Sequence, residues 1–314
     1  MLLRNTPVTA DPRGERSVSD SATVLDDLAA ESEEVDSLVR ELRAEQWAAP
    51  TPAAGWTVAH QIAHLAWTDR AALLAATDPE AFAAEAAAAL ASPDTFVDEG
   101  AEEGAALPPA ELLAGWRDGR ERLLRLLREA PPGARFPWYG PAMSALSLAT
   151  ARLMETWAHG QDVADALGVV RVPTARLRHV AWIGLRARDY AYLVRGLTPP
   201  AEPFRLELVS PEGEMWAYGP EDATQGVRGP ALDFCLLVTQ RVHHADTALV
   251  PFGAEATRWL TLAQAFAGPP GQGRPPKDGT EGGPASGGPA SGGPEHGGPE
   301  RGGPESGGPG EGAS

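Results

Sequence analysis

The spacing of apolar side chains over the first two thirds of the chain predicts a succession of helices. In the first of them, apolar residues recur at the three- and four-residue intervals of one helical face: Val24, Leu25, Leu28, Val35, Leu38, Val39 and Leu42. We predict helices over residues 19–46, from an N-cap at Thr57 onward, and over 79–90, 109–129, 144–167 and 174–195. Gly168 supplies the usual C-terminal signal for the helix over 144–167. This succession favours a helical bundle.

The period of the pattern changes after Pro199 and Pro200. The segments FRLELV and EMWAY alternate between apolar and polar side chains, as strands do, and a Pro-Glu-Gly turn joins them. A third short strand over 224–228 and helices over 230–241 and 254–266 would complete a small α/β unit. The predicted fold class is therefore α+β, mainly α, with a helical part followed by a small α/β domain.

Composition divides the chain into regions. We predict a disordered N-terminus over 1–17, a helical bundle over 18–197, a small α/β domain over 200–267 and a disordered Gly/Pro-rich tail over 268–314. Within the bundle, residues 91–108 form an acidic connection. The tail repeats Gly-Gly-Pro from Gly282 to Pro309 and has no apolar face to stabilise folding. His296, which lies in this tail, is therefore not a candidate ligand.

Charge and composition restrict the classes of partner. A formal net charge of −17 argues against nucleic-acid binding, because neutralising phosphates requires a basic surface. No apolar run approaches the roughly 20 residues of a membrane span, and the N-terminus lacks the apolar stretch of a signal peptide. We expect a cytoplasmic monomer or homodimer. The single cysteine, Cys235, lies in the apolar run ALDFCLLV, which favours a buried, inert thiol.

Two predicted helices carry candidate metal ligands. Glu155 and His159 stand four residues apart, so a helix places them on one face, where both can reach one ion. His64, in GWTVAHQIAHLAWTD, would complete a His/Glu/His set with an open coordination position, as in catalytic zinc sites. Asp162 falls on the same face as Glu155 and His159, and large apolar residues border this polar stripe. The alternative is a buried polar network without a metal.

Other residues near these segments have open roles. His60 is expected to be a hydrogen-bonded interfacial histidine, although a His60/His64 metal clamp is an alternative. Asp69 is either a carboxylate that supports a ligand or a helix-to-helix hydrogen-bond partner. Trp138 and Tyr139 precede the Glu155 helix and either line the mouth of a pocket or serve ordinary loop packing.

The segments GWTVAHQIAHLA and METWAHGQDVADALG resemble the two signature regions of the mycothiol-dependent maleylpyruvate isomerase family, within the wider group of DinB-like metal-binding helical bundles. The later stretch FRLELVSPEGEMWAYGPEDATQGVRGPALDFCLLVTQR resembles the small α/β domain that follows the bundle in that family. The resemblance covers most of residues 18–267 and implies a DinB-like, up-and-down, four-helix-type bundle followed by the small α/β domain. By matching position, it implies that His64, Glu155 and His159 bind a divalent metal, usually zinc.

The resemblance also implies a chemistry. A metal-bound thiol, mycothiol, would lose its proton near neutral pH and add to an activated double bond; the carbon–carbon bond is then single and can rotate, and loss of the thiolate restores the double bond. Arg241 matches the approximate place of a family arginine that could pair with a substrate or cofactor carboxylate; the alternative is an arginine that offsets a helix dipole. His243 and His244 are weaker candidates. Asp162, Trp138 and Tyr139 are the predicted cofactor-binding residues.

Three functional hypotheses remain from the sequence. The first is a mycothiol-dependent isomerase or S-transferase that acts on a small electrophilic substrate. The second is a metal-water hydrolase on the same bundle, and the third is a non-catalytic metal- or ligand-binding protein. Two histidines and a carboxylate also suit iron, nickel or manganese, so the ligand set does not select zinc by itself. Arginine-rich, Ala/Gly/Pro-rich composition is typical of a high-GC genome such as that of an actinobacterium.

Overall fold

The protein is described by a computed structural model for residues 18–92, 95–271 and 273–277. The predicted disordered N-terminus, the Gly-Gly-Pro repeats and His296 lie outside the described residues. The α-helices are α1 Val18–Val39, α2 Ala44–Trp47, α3 Val58–Thr77, α4 Pro79–Ala91, α5 Phe96–Ala105, α6 Pro109–Glu129, α7 Ala145–Leu167, α8 Leu177–Arg186, α9 Arg188–Leu193, α10 Ala231–Val238 and α11 Ala254–Leu260. The strands are β1 Arg135–Phe136, β2 Met143–Ser144, β3 Phe204–Val209, β4 Met215–Tyr218, β5 Gln225–Pro230 and β6 Val250–Phe252.

Four long helices form the predicted bundle. Helix α7 packs against α1 and α3, and α6 packs against α3 and α1. The apolar positions that predicted the helices are buried between them, among them Val35, Ile62, Trp116 and Val163. Asp36 of α1, 3% exposed at its side chain, accepts hydrogen bonds from Arg117 and Arg120 of α6 and so links these two helices across the bundle.

The first helix is shorter than predicted. Helix α1 ends at Val39, and the separate short helix α2 follows it. The prediction over 19–46 was wrong at this end because Leu38 and Leu42 continue the apolar period across a turn. The turn brings Trp47, 4% exposed, into the same apolar cluster as Val58.

The acidic connection over 91–108 contains a helix, α5, that the sequence did not predict. Glycines at 100 and 104 lower its intrinsic helix propensity. They also allow close packing on α3: a Cβ at Gly100 would lie 3.1 Å from the Trp67 ring, and one at Gly104 would lie 2.8 Å from Ala63 Cβ. Tertiary packing therefore outweighs local propensity in this segment.

The C-terminal part contains a four-stranded sheet in the order β4-β3-β5-β6. The predicted hairpin is confirmed, since β3 and β4 pair antiparallel with Val209 opposite Met215. The third predicted strand is β5, which runs parallel to β3, whereas β6 was missed because it has three residues. The helix predicted over 174–195 is divided at Ala187 into α8 and α9, and the break lets Tyr192 become fully buried.

The bundle and the sheet share one apolar core. A single cluster runs from Leu28 in α1 through Leu153 in α7 to Phe234 in α10 and Trp259 in α11. The helices predicted over 230–241 and 254–266 form part of it, but they end earlier, at Val238 and Leu260. Within the described residues, no helix combines the length and apolar character that crossing a bilayer requires.

Candidate metal centre

Helix α7 presents Glu155 and His159 one turn apart toward α3. Its start is capped by Ser144, whose hydroxyl accepts a hydrogen bond from the Ser147 amide at 3.1 Å. Its end is Gly168, whose φ of 67° is the left-handed conformation that glycine adopts without a steric cost. Both boundaries agree with the sequence prediction, so the face that carries the two residues is set by local signals.

Helix α3 supplies the third predicted ligand, His64. As predicted, the helix begins after Thr57, whose amide donates a hydrogen bond to His60 Nδ1 at 3.3 Å. His64 lies two turns into the helix with its side chain 9% exposed. The packing of α3 on α7 therefore turns two separate sequence motifs into one cluster.

The three side chains converge. His159 Nε2 lies 3.1 Å from Glu155 Oε2, and His64 Nε2 lies 3.5 Å from the same oxygen. One ligand atom from each residue falls within 4.8 Å of the others, and this is the one group of three or more His, Cys, Asp or Glu ligands found among the described residues. The Glu155 side chain is 21% exposed, which leaves the cluster accessible from one side.

The chemistry of this donor set fits a divalent metal. Gln61 Oε1 lies 2.5 Å from His159 Nδ1, and a carbonyl oxygen can only accept, so Nδ1 carries the proton. The lone pair of Nε2 then faces Glu155 and the second imidazole, as metal ligation requires. Two nitrogens and one carboxylate oxygen with a free position match a catalytic zinc centre. His64 Nδ1 is buried and has no hydrogen-bond partner among the described residues.

Electrostatics at the cluster favour the protonation states of ligands. Burial by itself would raise the pKa of Glu155, but the interactions of its carboxylate with the two neighbouring imidazoles outweigh it and hold the pKa well below its usual range. Burial, together with the nearby charge of His64, lowers the pKa of His159 to about 4. At neutral pH, Glu155 is thus a carboxylate and His159 a neutral imidazole, and both forms can bind a cation.

Aromatic rings surround the cluster. Trp56 stacks on His159 with ring centroids 5.9 Å apart, and Trp67 contacts His64 at 5.7 Å. The indole of Trp56 is held by a 2.8 Å hydrogen bond to Asp98 of α5. These rings lower the local polarity, which strengthens the interaction between an ion and its ligands.

Asp162 and Arg241 form an ion pair beside the cluster. Asp162, three residues after His159 on α7, is fully buried, and its Oδ2 accepts from Arg241 at 2.8 Å. Arg241 follows Gln240, whose φ of 61° reverses the chain after α10, and the Arg241 amide bonds Leu236 at 2.7 Å. Arg241 therefore points back to the bundle, and its Nη1 also donates to the carbonyl of Thr239, the C-cap residue of α10, at 2.5 Å.

Trp138 and Tyr139 lie farther from the ligands. Trp138 stacks on Phe82 of α4 at 5.8 Å, and the Tyr139 hydroxyl donates to Glu85 at 2.7 Å. Tyr139 contacts Trp67 at 6.3 Å, so one ring separates it from His64. Their predicted part in cofactor binding stays a prediction.

The remaining candidates lie outside the cluster. His60 Nε2 pairs with Glu102 at 2.7 Å, and Asp69 bonds Arg152 of α7 at 2.9 Å as a helix-to-helix partner. Burial raises the pKa of the Cys235 thiol, in accordance with an inert cysteine. The rings of His243 and His244 are tilted by 42° with centroids 4.2 Å apart, and neither residue belongs to the group of three ligands.

Three residues at the site were not singled out from the sequence as members of it. Gln61 and Trp56 belong to the same segment as His64, and their positions on α3 and its preceding loop were the available signal. Arg274 lies in the predicted disordered tail, yet its side chain donates to Asp162 Oδ1 at 2.7 Å. No local pattern could reveal this contact, because the two residues are 112 positions apart.

Comparison with known proteins assigns the candidate ligands to one family domain. The profile of the mycothiol maleylpyruvate isomerase N-terminal domain matches residues 28–164, a range that includes all three candidate ligands. A second profile, described as wyosine base formation, matches residues 200–250, which hold most of the sheet.

Two relatives, one from each of two strains of Mycobacterium tuberculosis, are 57% identical to this chain. Both are described as uncharacterized proteins. Each match extends over 257 residues, which is 82% of this chain and 100% of the relative.

Solved structures show the same fold. The crystal structure of the mycothiol-dependent maleylpyruvate isomerase superposes with a TM-score of 0.50, at 18% identity, over 74% of this chain and 92% of the other. A single-residue mutant of that enzyme gives a TM-score of 0.51 with the same coverage. The chain therefore has a DinB-like fold, and its residues 28–164 belong to the family of mycothiol maleylpyruvate isomerase N-terminal domains.

Proposed function

We propose that this protein is a divalent-metal-dependent enzyme that uses a low-molecular-weight thiol, mycothiol, to isomerise or modify a small electrophilic substrate. The convergence of His64 Nε2, Glu155 Oε2 and His159 Nε2 carries the proposal, since these ligand atoms lie within 4.8 Å of one another. The family supports the thiol. A cytoplasmic location suits such a reaction, because cytoplasmic thiols are kept reduced.

Zinc is the proposed metal. Two imidazoles and one carboxylate leave a coordination position free, as in catalytic zinc sites. A zinc ion held there would lower the pKa of a bound thiol or water toward neutrality.

The protein's own residues would orient the reactants. Gln61 fixes the ring of His159 through the 2.5 Å contact to Nδ1, and Trp56 covers one face of that ring. Arg241, held by Asp162 at 2.8 Å, is the proposed catalytic arginine, which would bind a carboxylate of the substrate. Asp162, Trp138 and Tyr139 are proposed to shape the space that the thiol occupies.

Metal content of the purified protein tests the proposal. We expect about one equivalent of zinc per chain by elemental mass spectrometry, falling to about a tenth or less in His64→Ala, Glu155→Ala and His159→Ala because each change removes a ligand. His60→Ala is the matched control, since His60 lies on the same helix but pairs with Thr57 and Glu102. It should keep its zinc.

Cobalt substitution separates the thiol-using enzyme from the alternatives. Mycothiol added to the cobalt form should produce a thiolate-to-cobalt absorption band, which a metal-water hydrolase would not require. Wild-type protein that stays free of metal after reconstitution would overturn the proposal and leave the three residues as a structural polar cluster. A metallated protein without the band would favour hydrolysis or non-catalytic binding.

A further inference from the structure

The chain beyond α11 returns to the metal centre. The Gly268 amide donates to the Tyr190 hydroxyl at 2.9 Å, and the Lys277 amide donates to the Asp246 carboxylate at 3.0 Å. Between these two anchors, Gly271 lies so close to Gln240 that a Cβ there would be 2.2 Å from its Oε1. Residues 268–271 and 273–277, which the sequence assigned to the tail, thus lie against the folded body.

This segment places a second arginine beside Arg241. Arg274 donates to Asp162 Oδ1 at 2.7 Å while Arg241 donates to Oδ2 at 2.8 Å, so two guanidinium groups share one buried carboxylate. Their side chains are 22% and 13% exposed. Asp165, three residues after Asp162 on α7, also acts on Arg274 as a negative charge, but only Asp162 is hydrogen-bonded to the two guanidinium groups.

The arginine pair adjoins the metal ligands. Asp162 lies on the same face of α7 as His159, three residues further along the helix. Arg274 also donates to the Pro52 carbonyl, in the loop that carries Trp56, and Trp56 stacks on His159 at 5.9 Å. Both side-chain partners of Arg274, Asp162 and Pro52, thus belong to segments that carry or contact His159.

Unused donors remain on the pair. Arg241 Nε is buried and has no hydrogen-bond partner among the described residues. A guanidinium has five N–H donors, and Arg274 uses two of its nitrogens for Asp162 and Pro52. A buried donor without a partner is costly, so a bound acceptor would stabilise it.

We propose that Arg274 is a second anion-binding residue of the metal pocket, which works with Arg241 to hold a carboxylate group of the substrate. This inference rests on the proposed function for its location but concerns a different part of the site. A planar fork of donors suits a carboxylate better than a single ammonium charge does. The C-terminal segment would thus contribute directly to substrate selection.

Calorimetric titration with succinate, and with succinamide as its neutral analogue, tests the inference. Arg274→Gln should weaken succinate binding at least about tenfold, the size expected for losing a charge-assisted hydrogen bond, and should leave succinamide binding unchanged. Arg274→Lys, which keeps the charge without the fork, should recover part of the affinity. Arg125→Gln, an equal charge change at an exposed position on α6, should change it less than about twofold.

A separate variant distinguishes anion binding from mere attachment of the segment. Asp246→Asn weakens the anchor at Lys277 without touching either guanidinium, and it should keep nearly the full succinate affinity. Succinate binding that is equal in wild type and Arg274→Gln, or reduced equally by Asp246→Asn and Arg274→Gln, would overturn the inference. Titrations with and without zinc, on samples of measured zinc content, separate this outcome from failure of the metal site.

Discussion

At the level of single residues, the hydrogen bond between Gln61 and His159 determines which imidazole nitrogen can bind a metal. Gln61 is fully buried, and its amide nitrogen donates to Thr51 Oγ1 at 2.9 Å, so the amide oxygen has to face His159 Nδ1. The orientation of the glutamine thus follows from a second contact, and the tautomer of the histidine follows from the glutamine.

Replacing Gln61 should weaken metal binding without removing a ligand. Gln61→Leu is expected to lower zinc affinity about 10- to 100-fold, because the ring of His159 loses the acceptor that orients it. Competition with a chromophoric chelator measures the change. Gln61→Glu keeps an acceptor at this position and should retain most of the zinc affinity. Gln161→Leu is the control and should not change the zinc affinity, because the Gln161 side chain on α7 donates to Asp165 and makes no hydrogen bond to a ligand within the described residues. Equal zinc affinity in Gln61→Leu and wild type would contradict this account.

At the level of elements, α5 demonstrates how packing creates a helix that its composition does not favour. On its polar face, Asp98 accepts a hydrogen bond from Trp56, and Glu102 pairs with His60. Its glycines face α3. The helix therefore covers the side of α3 that carries His64. Small residues at this contact matter because they let the two backbones approach.

Two glycine substitutions should have opposite effects on stability. Gly104→Ala is expected to reduce the free energy of unfolding by about 1–3 kcal/mol, because its Cβ would lie 2.8 Å from Ala63 Cβ. Gly115→Ala, in the exposed interior of α6 with no atom within 4 Å, should increase it by about 0.5–1 kcal/mol. Urea unfolding measures both. Similar stabilisation by both changes would mean that α5 does not pack closely on α3.

At the level of the whole molecule, long-range contacts join segments that are far apart in sequence. The apolar core continues from the bundle into the sheet, where Gly184 of α8 lies against Val238 of α10. Buried carboxylates add hydrogen bonds between distant segments. Asp36 of α1 accepts from Arg117 of α6, and Asp162 of α7 accepts from Arg241 and Arg274. The candidate metal centre lies where these contacts bring α3, α7 and the C-terminal segment together.

The stability of the molecule should depend on pH through Asp36. The hydrogen bond from Arg117, together with the charge of Arg120, holds the pKa of Asp36 below its usual value despite burial. The pKa of Asp36 is thus lower in the folded state than in the unfolded state, where it is about 3.9. The ionised carboxylate therefore stabilises the folded state above about pH 3.9, and this stabilisation is lost as the pH falls through the folded-state pKa.

Asp36→Asn should therefore destabilise the protein by about 1–3 kcal/mol at pH 7, and this difference should shrink below about pH 4. Urea unfolding between pH 7 and pH 3 measures it. Asp118→Asn, which breaks an exposed pair with Arg122, should cost no more than about 0.5 kcal/mol at any pH. A difference for Asp36→Asn that is constant from pH 7 to pH 3 would exclude its carboxylate as the cause.

Local signals were enough to predict much of this molecule. Helix boundaries at Thr57, Ser144 and Gly168, the β3–β4 hairpin and the helical face shared by Glu155 and His159 depend on residues a few positions apart. Periodicity and capping describe such interactions directly. The pairing of His64 with the other two ligands was a hypothesis from the two helical segments, and the resemblance to a family implied the same three residues.

Contacts between distant segments decided the rest. Helix α5 forms because α3 offers a surface to its glycines, and Arg274 reaches Asp162 because the chain folds back after α11. The tautomer of His159 and the direction of Arg241 likewise depend on partners 98 and 79 residues away. The free energy of these contacts comes from surfaces that exist only after the bundle and the sheet have packed, so no local pattern in the sequence encodes them.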